Sequence, residues 1–179
     1  MNGIINYDLI ILCWRTLAPI LACIFKASYG LVRFGQLKVF QEAKIVTPGE
    51  VKHNKFSLDY SGVGFTGARV FAISITDDSV NIKFLLAILN SKLIEFFLHH
   101  VAPRKAGGYY SYSTQILEKI PIVIPIDQRP FINLVNSIIE KKTNNEETME
   151  LENQIDTLVY DLYGIQENER RAIEENLYD

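Results

Sequence analysis

The chain has 179 residues, 48% hydrophobic, 11% aromatic and 22% charged, with a formal net charge of −3. That is enough apolar material for a packed core and fits one domain, or one domain with an appendage, so disorder, collagen-like repeats and coiled-coil rods are excluded as descriptions of the whole. Cys13 and Cys23 cannot make a disulfide framework, and with three His they cannot make a zinc cluster. The net charge hides a segregation: residues 26–119 carry 12 Lys/Arg against 7 Asp/Glu, whereas residues 120–179 carry 5 against 13. A basic middle followed by an acidic tail suggests an interaction surface on one part.

Residues 9–25 are almost wholly apolar, but Arg15 and Pro19 interrupt them and Asp8 and Lys26 flank them. A membrane span needs about 20 mostly apolar residues, and a signal peptide needs a basic start, which Met1 to Tyr7 lack. The stretch reads as a buried segment that expects a covering surface. Residues 43–47 read as a short strand ended by Pro48-Gly49, and residues 50–68 as a polar, glycine-rich connection. Arg69 to Ile75 form a second strand with Phe71, Ile73 and Ile75 on one face. Asp77-Asp78-Ser79 is a turn and a helix cap. Leu85, Leu89, Leu93 and Phe96 then recur at helical spacing, predicting one central helix over 81–99.

A basic, glycine-containing loop, His99 to Tyr112, follows, and then a short helix at 113–119. Two prolines in Ile120 to Pro125 allow only an edge strand or an extended segment. Pro130 opens a helix from 130 to about 142. Thr143 to Glu147 connect it to a stripe of Leu151, Ile155, Leu158 and Leu162, which Gly164 ends as a C-cap. A last helix spans about Asn168 to Leu177. The expected fold is mixed α/β (α+β): a small β-sheet packed on a central helix, with a C-terminal helical hairpin extension. Residues 1–39 are then an apolar N-terminal segment, 40–128 a recognition domain and 129–179 the helical extension.

No catalytic or metal site is legible. Gly62 to Gly67 fit G-x-G-x-x-G, but a dinucleotide loop needs a helix to start within it, and here a strand follows. The glycines read as part of a hairpin. Glu50-Val51-Lys52 with Glu42 upstream could hold magnesium for phosphodiester cleavage, but acid-x-Lys is a common triplet and this one sits in a turn. His99-His100 closes an apolar helix, where the C-terminal dipole favours a histidine.

One constellation does carry chemistry. Ala102 to Ser113 hold Arg104 and Lys105, Gly107 and Gly108, and Tyr109, Tyr110 and Tyr112. The cations can neutralise phosphates, and Arg can take a guanine edge. Glycines permit close backbone approach, and tyrosines offer flat contact with a hydroxyl. The same residues could equally form a surface loop whose tyrosines cap the core. Lys52-His53-Asn54-Lys55 is a second basic loop; Asn54 could read adenine, and Arg69 could join it.

The run Lys44-Ile45-Val46-Thr47-Pro48, then Asn54 to Asp59, Phe65-Thr66 and Val70 to Ile73, resembles the opening of the TaqI-like C-terminal specificity domain. Leu85 to Phe96 resembles that family's core helix, and Gly107 to Tyr110 followed by Leu117 to Ile122 resembles the segment after it. Ile155 to Gly164 resembles the common ending of type IIG restriction-modification enzymes and related adenine methyltransferases, so the resemblance runs over about 40–179. It implies a target recognition module that holds duplex DNA against a methyltransferase domain or subunit, reads bases in the major groove and positions the flipped adenine. By the same resemblance S-adenosylmethionine binds in that other domain, and this chain holds no cofactor. Arg104, Lys105, Gly107, Gly108, Tyr109, Tyr110 and Tyr112 become the expected DNA contacts, with Lys52, Asn54, Lys55 and Arg69 as a second set.

The chain lacks Asn/Asp-Pro-Pro-aromatic, the methyltransferase signature, and residues 1–39 do not resemble the family's opening. The expectation is therefore a truncated or split gene product, cytoplasmic and without a membrane partner. The rival readings are a membrane-associated protein anchored by residues 4–32 and a small metal-dependent nuclease using Glu42 and Glu50.

Overall fold

In the computed structural model the described residues are 44–60, 70–75 and 77–178. The apolar segment 1–39, Glu42, the glycines at 62, 64 and 67, and Arg69 lie outside them. The mixed α/β class stands: short antiparallel strands lead into a set of helices.

β1 (Lys44–Pro48) is flanked by β3 (Ser57–Asp59) and β4 (Val70–Ile73) in an antiparallel sheet of order β3-β1-β4. Ile45 faces Leu58 on one side and Ile73 on the other, and it is fully buried. Lys44 faces Asp59, and its buried ammonium is paired with that carboxylate at 2.9 Å, which relieves the cost of burying the charge. After Gly49 the chain leaves this sheet. β2 (Glu50–Val51) instead pairs with β5 (Tyr110–Ser111), 60 residues further along the chain. The expected Pro48-Gly49 break is therefore a change of partner.

The predicted central helix over 81–99 is two helices, α1 (Ile82–Leu89) and α2 (Lys92–Val101), bent by 62° at Asn90-Ser91. Asn81, not the Asp77–Ser79 turn, caps α1, accepting from the Lys83 amide at 2.9 Å; Asp77 closes its own turn by accepting from the Ser79 amide. At the break, Ser91 is extended and its Oγ accepts from the Ile94 amide at 3.4 Å, starting a new helix. The Asn90 side chain clasps the Phe56 backbone, accepting from its amide and donating to its carbonyl, both at 3.0 Å. Apolar periodicity could not reveal this break. Leu85, Leu89, Leu93 and Phe96 are buried on both sides of it, so the stripe continues while the axis turns.

The remaining helices follow the expected order. α3 (Thr114–Leu117) leads into an extended 120–125 segment that forms no strand. Tyr163 takes the place of a ladder partner there: its hydroxyl donates to the Pro121 carbonyl at 2.8 Å and accepts from the Val123 amide at 3.2 Å. α4 (Arg129–Thr143) opens with Pro130 in its first turn, and α5 (Met149–Tyr163) ends at Gly164, which is left-handed with φ 69°. α6 (Glu167–Tyr178) completes the chain. α1 packs on β1 and α4, α4 on α5, and α2 on α5 and α6. One cluster of buried side chains joins Ile45, Phe84 and Leu98 to Phe131, Val159 and Ile173.

Asp156 docks the C-terminal helices onto this frame. Its Oδ1 accepts from the Lys92 amide at 2.8 Å, in the first turn of α2, and the Lys92 ammonium lies 3.5 Å from Oδ2 and 3.0 Å from Glu174. Burial pushes the Asp156 carboxyl up to about 6, outweighing the downward pull of Lys92. The folded state then holds this proton more tightly than the unfolded chain. Its stabilising contribution is full below about pH 4 and is lost as pH rises through 6, a change on the order of 2–3 kcal/mol. Asp156→Asn keeps an acceptor for the Lys92 amide and removes the titration. Urea unfolding at pH 4.5 and 7 is expected to show a flatter pH dependence of stability in Asp156→Asn than in the wild type; an equal pH dependence would contradict the raised carboxyl.

Candidate nucleic-acid interface

The turn that follows α2 is held by its own backbone. Ala102, at the end of α2, is buried; the Ser111 amide donates to the Pro103 carbonyl at 2.9 Å, and the Lys105 amide to the Tyr109 carbonyl at 2.7 Å. Arg104 bridges to Tyr110, and the Tyr112 amide donates to Gly49 at 2.8 Å, so the turn is laced to β2 as well. Between these bonds, Gly107 and Gly108 have φ of 75° and 78° in succession. Two left-handed residues in a row are costly for any side chain with a Cβ, which explains the glycine pair without appeal to a ligand.

This lacing sorts the expected site residues into two groups. Arg104, Lys105, Lys52 and Lys55 are exposed, and Tyr109 is 42% exposed. The Lys52 ammonium lies 5.2 Å from the centre of the Tyr109 ring, bringing the second basic loop against the first. Lys105 is paired with Glu50 at 2.5 Å, a partly exposed contact worth only ~0–1 kcal/mol that a phosphate could replace.

Asn54 and Tyr112 go the other way, turned toward the core rather than into the exposed cationic group. Tyr112 is 3% exposed. Its hydroxyl donates to the Asn54 Oδ1 at 2.5 Å, and its ring stacks against Phe56 at 6.4 Å. The Asn54 side-chain amide donates to the Leu89 carbonyl at 2.8 Å, so both ends of this half-buried side chain are engaged within the fold. Burial also raises the Tyr112 phenol well above its ordinary pKa. Tyr110 is half-buried, its ring stacked on His99 at 3.8 Å and 8°.

His53, Glu95 and His99 sit beside this group, although sequence reasoning did not select them. Glu95 accepts from His53 Nδ1 at 2.8 Å, and His99 Nε2 donates to the Lys52 carbonyl at 3.1 Å while lying 3.6 Å from Glu95. Burial is the main reason the His99 pKa is lowered, against the opposing pull of Glu95. Both histidines lie in the last turn of α2, as expected for a helix end, and the His100 Nδ1 donates to the Phe96 carbonyl at 2.8 Å. The i, i+4 spacing of Glu95 and His99 was the available signal.

The rival readings gain nothing here. Glu50 is engaged by Lys105, and among the described residues no three His, Cys, Asp or Glu side chains come together as metal ligands would. Among the same residues no single helix is long and apolar enough to cross a membrane; the bent pair α1–α2 passes by length and composition only, and its apolar stripe is buried in the core. The 4–32 segment lies outside the described residues.

Compared with known proteins, residues 25–122 match the family model of the TaqI-like C-terminal specificity domain. The chain belongs to that family. The match begins upstream of residue 40, where the resemblance in the sequence starts, and stops before α4, so it contains both basic loops and excludes the acidic helices. A Methanocaldococcus jannaschii protein provisionally named a type II restriction enzyme and methyltransferase is 31% identical over 97 residues, covering 49% of this chain and 8% of that protein. This specificity domain therefore corresponds to a small part of a much longer relative.

The inward placement of Asn54 gives a stability prediction. Asn54→Ala removes the acceptor of the buried Tyr112 hydroxyl and the donor to Leu89, and is expected to cost ~2 kcal/mol in urea unfolding, with Lys55→Ala near zero. Two near-neutral variants would contradict the structural assignment of Asn54.

Proposed function

We propose that this specificity domain recognises duplex DNA for an adenine-specific methyltransferase of a restriction-modification system, with the turn at 103–109 as its contact surface. The supporting observation is the joint exposure of Arg104, Lys105, Tyr109 and Lys52 on a glycine-hinged ribbon, within the stretch that matches the family. Arg104 and Lys105 are the phosphate or guanine ligands, and Lys52 and Lys55 extend the positive surface. Gly107 and Gly108 let the backbone come close to the duplex. Tyr109 supplies flat contact beside the cations.

On this reading the bond-making residues and S-adenosylmethionine belong to a methyltransferase domain or subunit in the cytoplasm, and this chain supplies sequence recognition. The acidic helices α4–α6 offer phosphates little, so the electrostatic attraction is concentrated on the two basic loops.

Fluorescence anisotropy with a duplex across a salt series tests the assignment. Arg104→Ala combined with Lys105→Ala is expected to weaken binding and to flatten log K against log salt by up to about two units. A double variant with the wild-type affinity and slope would contradict it.

A further inference from the structure

Two stitches join the Glu50–Lys55 loop to the turn after α2. The β2–β5 pairing holds Glu50 and Val51, and the Asn54–Tyr112 hydrogen bond holds the far end. Between them lies the bend at Lys52-His53, where both side chains are exposed and the backbone is in neither sheet. What holds that bend is α2. Glu95 accepts from the His53 imidazole at 2.8 Å, and one helical turn later His99 donates to the Lys52 carbonyl at 3.1 Å. The face of the same His99 ring covers Tyr110 at 3.8 Å, on the opposite strand of the ribbon. A single side chain thus touches both loops, and it projects from a rigid, well-buried helix.

Resting on the DNA reading above, we infer that His99, aided by Glu95, is the positioning residue that fixes Lys52 beside Tyr109 and makes the two basic loops one surface. His99 itself is largely covered by Tyr110 and the Lys52 backbone, so it acts through them. Without it Lys52 keeps its charge but loses its place. The duplex must then order the bend at its own expense. The chemistry of imidazole suits this double contact, because a flat ring can stack on a phenol while its edge still carries a hydrogen-bond donor. A leucine would supply neither, and a phenylalanine only the first.

The test compares full-length wild type, His99→Ala, His99→Phe and the Arg104→Ala/Lys105→Ala double variant by anisotropy over the same salt series, well below each melting temperature. His99→Ala is expected to bind the duplex about 3- to 10-fold more weakly. Its salt slope should fall by about one unit as Lys52 leaves the surface. His99→Phe, which keeps the stack and loses the donor, should recover part of the affinity without recovering the slope. A purely structural role would lower the melting temperature while leaving both quantities unchanged for the folded protein, and that result overturns the inference. Should His99→Ala fail to fold, the slope of His99→Phe decides: a wild-type slope overturns the inference. If the double variant loses binding and the His99 variants do not, only the positioning role falls. If the double variant also binds as wild type, the DNA reading falls and the positioning role with it.

Discussion

Ser91 and Asn90 end one apolar helix and begin another, and the placement of α2 against both the C-terminal helices and the basic loop follows from that bend. Had α1 continued straight through residue 91, α2 could not have met Asp156 and Glu174 at its first turn while presenting Glu95 and His99 to the basic loop. The interruption leaves few backbone groups without partners. The Asn90 amide still reaches the Leu86 carbonyl, the Ser91 amide reaches Ile88, and Ser91 in turn accepts from Glu95. A serine N-cap of this kind is worth about 1 kcal/mol. Burying each leucine of the stripe is worth ~1.5–3 kcal/mol, so the two half-helices turn wherever both can bury their apolar faces.

The same bend gives α2 two separate roles. Its first turn is fastened to the acidic C-terminal helices through Lys92 and Asp156, and its last turn feeds directly into the glycine-hinged turn. The polar side chains of the two basic loops divide accordingly. Those that can satisfy buried partners, Asn54 and Tyr112, go inward and tie the loops to the core; those that carry charge and have no buried carboxylate to meet stay in solvent. On the proposed reading, these solvent-facing cations are the ones that meet the duplex.

Much of this was legible in the residues. The order of elements, the C-cap at Gly164, the helix opening at Pro130 and the stripe of Leu85 to Phe96 all rest on local signals of spacing and backbone chemistry. The bend was not, because hydrophobic periodicity is blind to a cap embedded in a continuous stripe. The strands β2, β3 and β5 were missed for another reason: with two or three residues each, they exist through long-range pairing and carry no alternation of their own. In the site, exposure of Arg104 and Lys105 could be read from charge alone. The inward turn of Asn54 and the double contact of His99 depend on partners 35 and 47 residues away, which no local pattern announces.

On the proposed reading the exposed ribbon, rather than the acidic helices, faces the duplex. Amide hydrogen exchange on the full chain, with and without duplex DNA at low salt, addresses this directly. Added protection is expected at residues 50–55 and 103–111, and none across α4 to α6. Protection confined to those helices, or none at the ribbon under conditions where the DNA is bound, would contradict it.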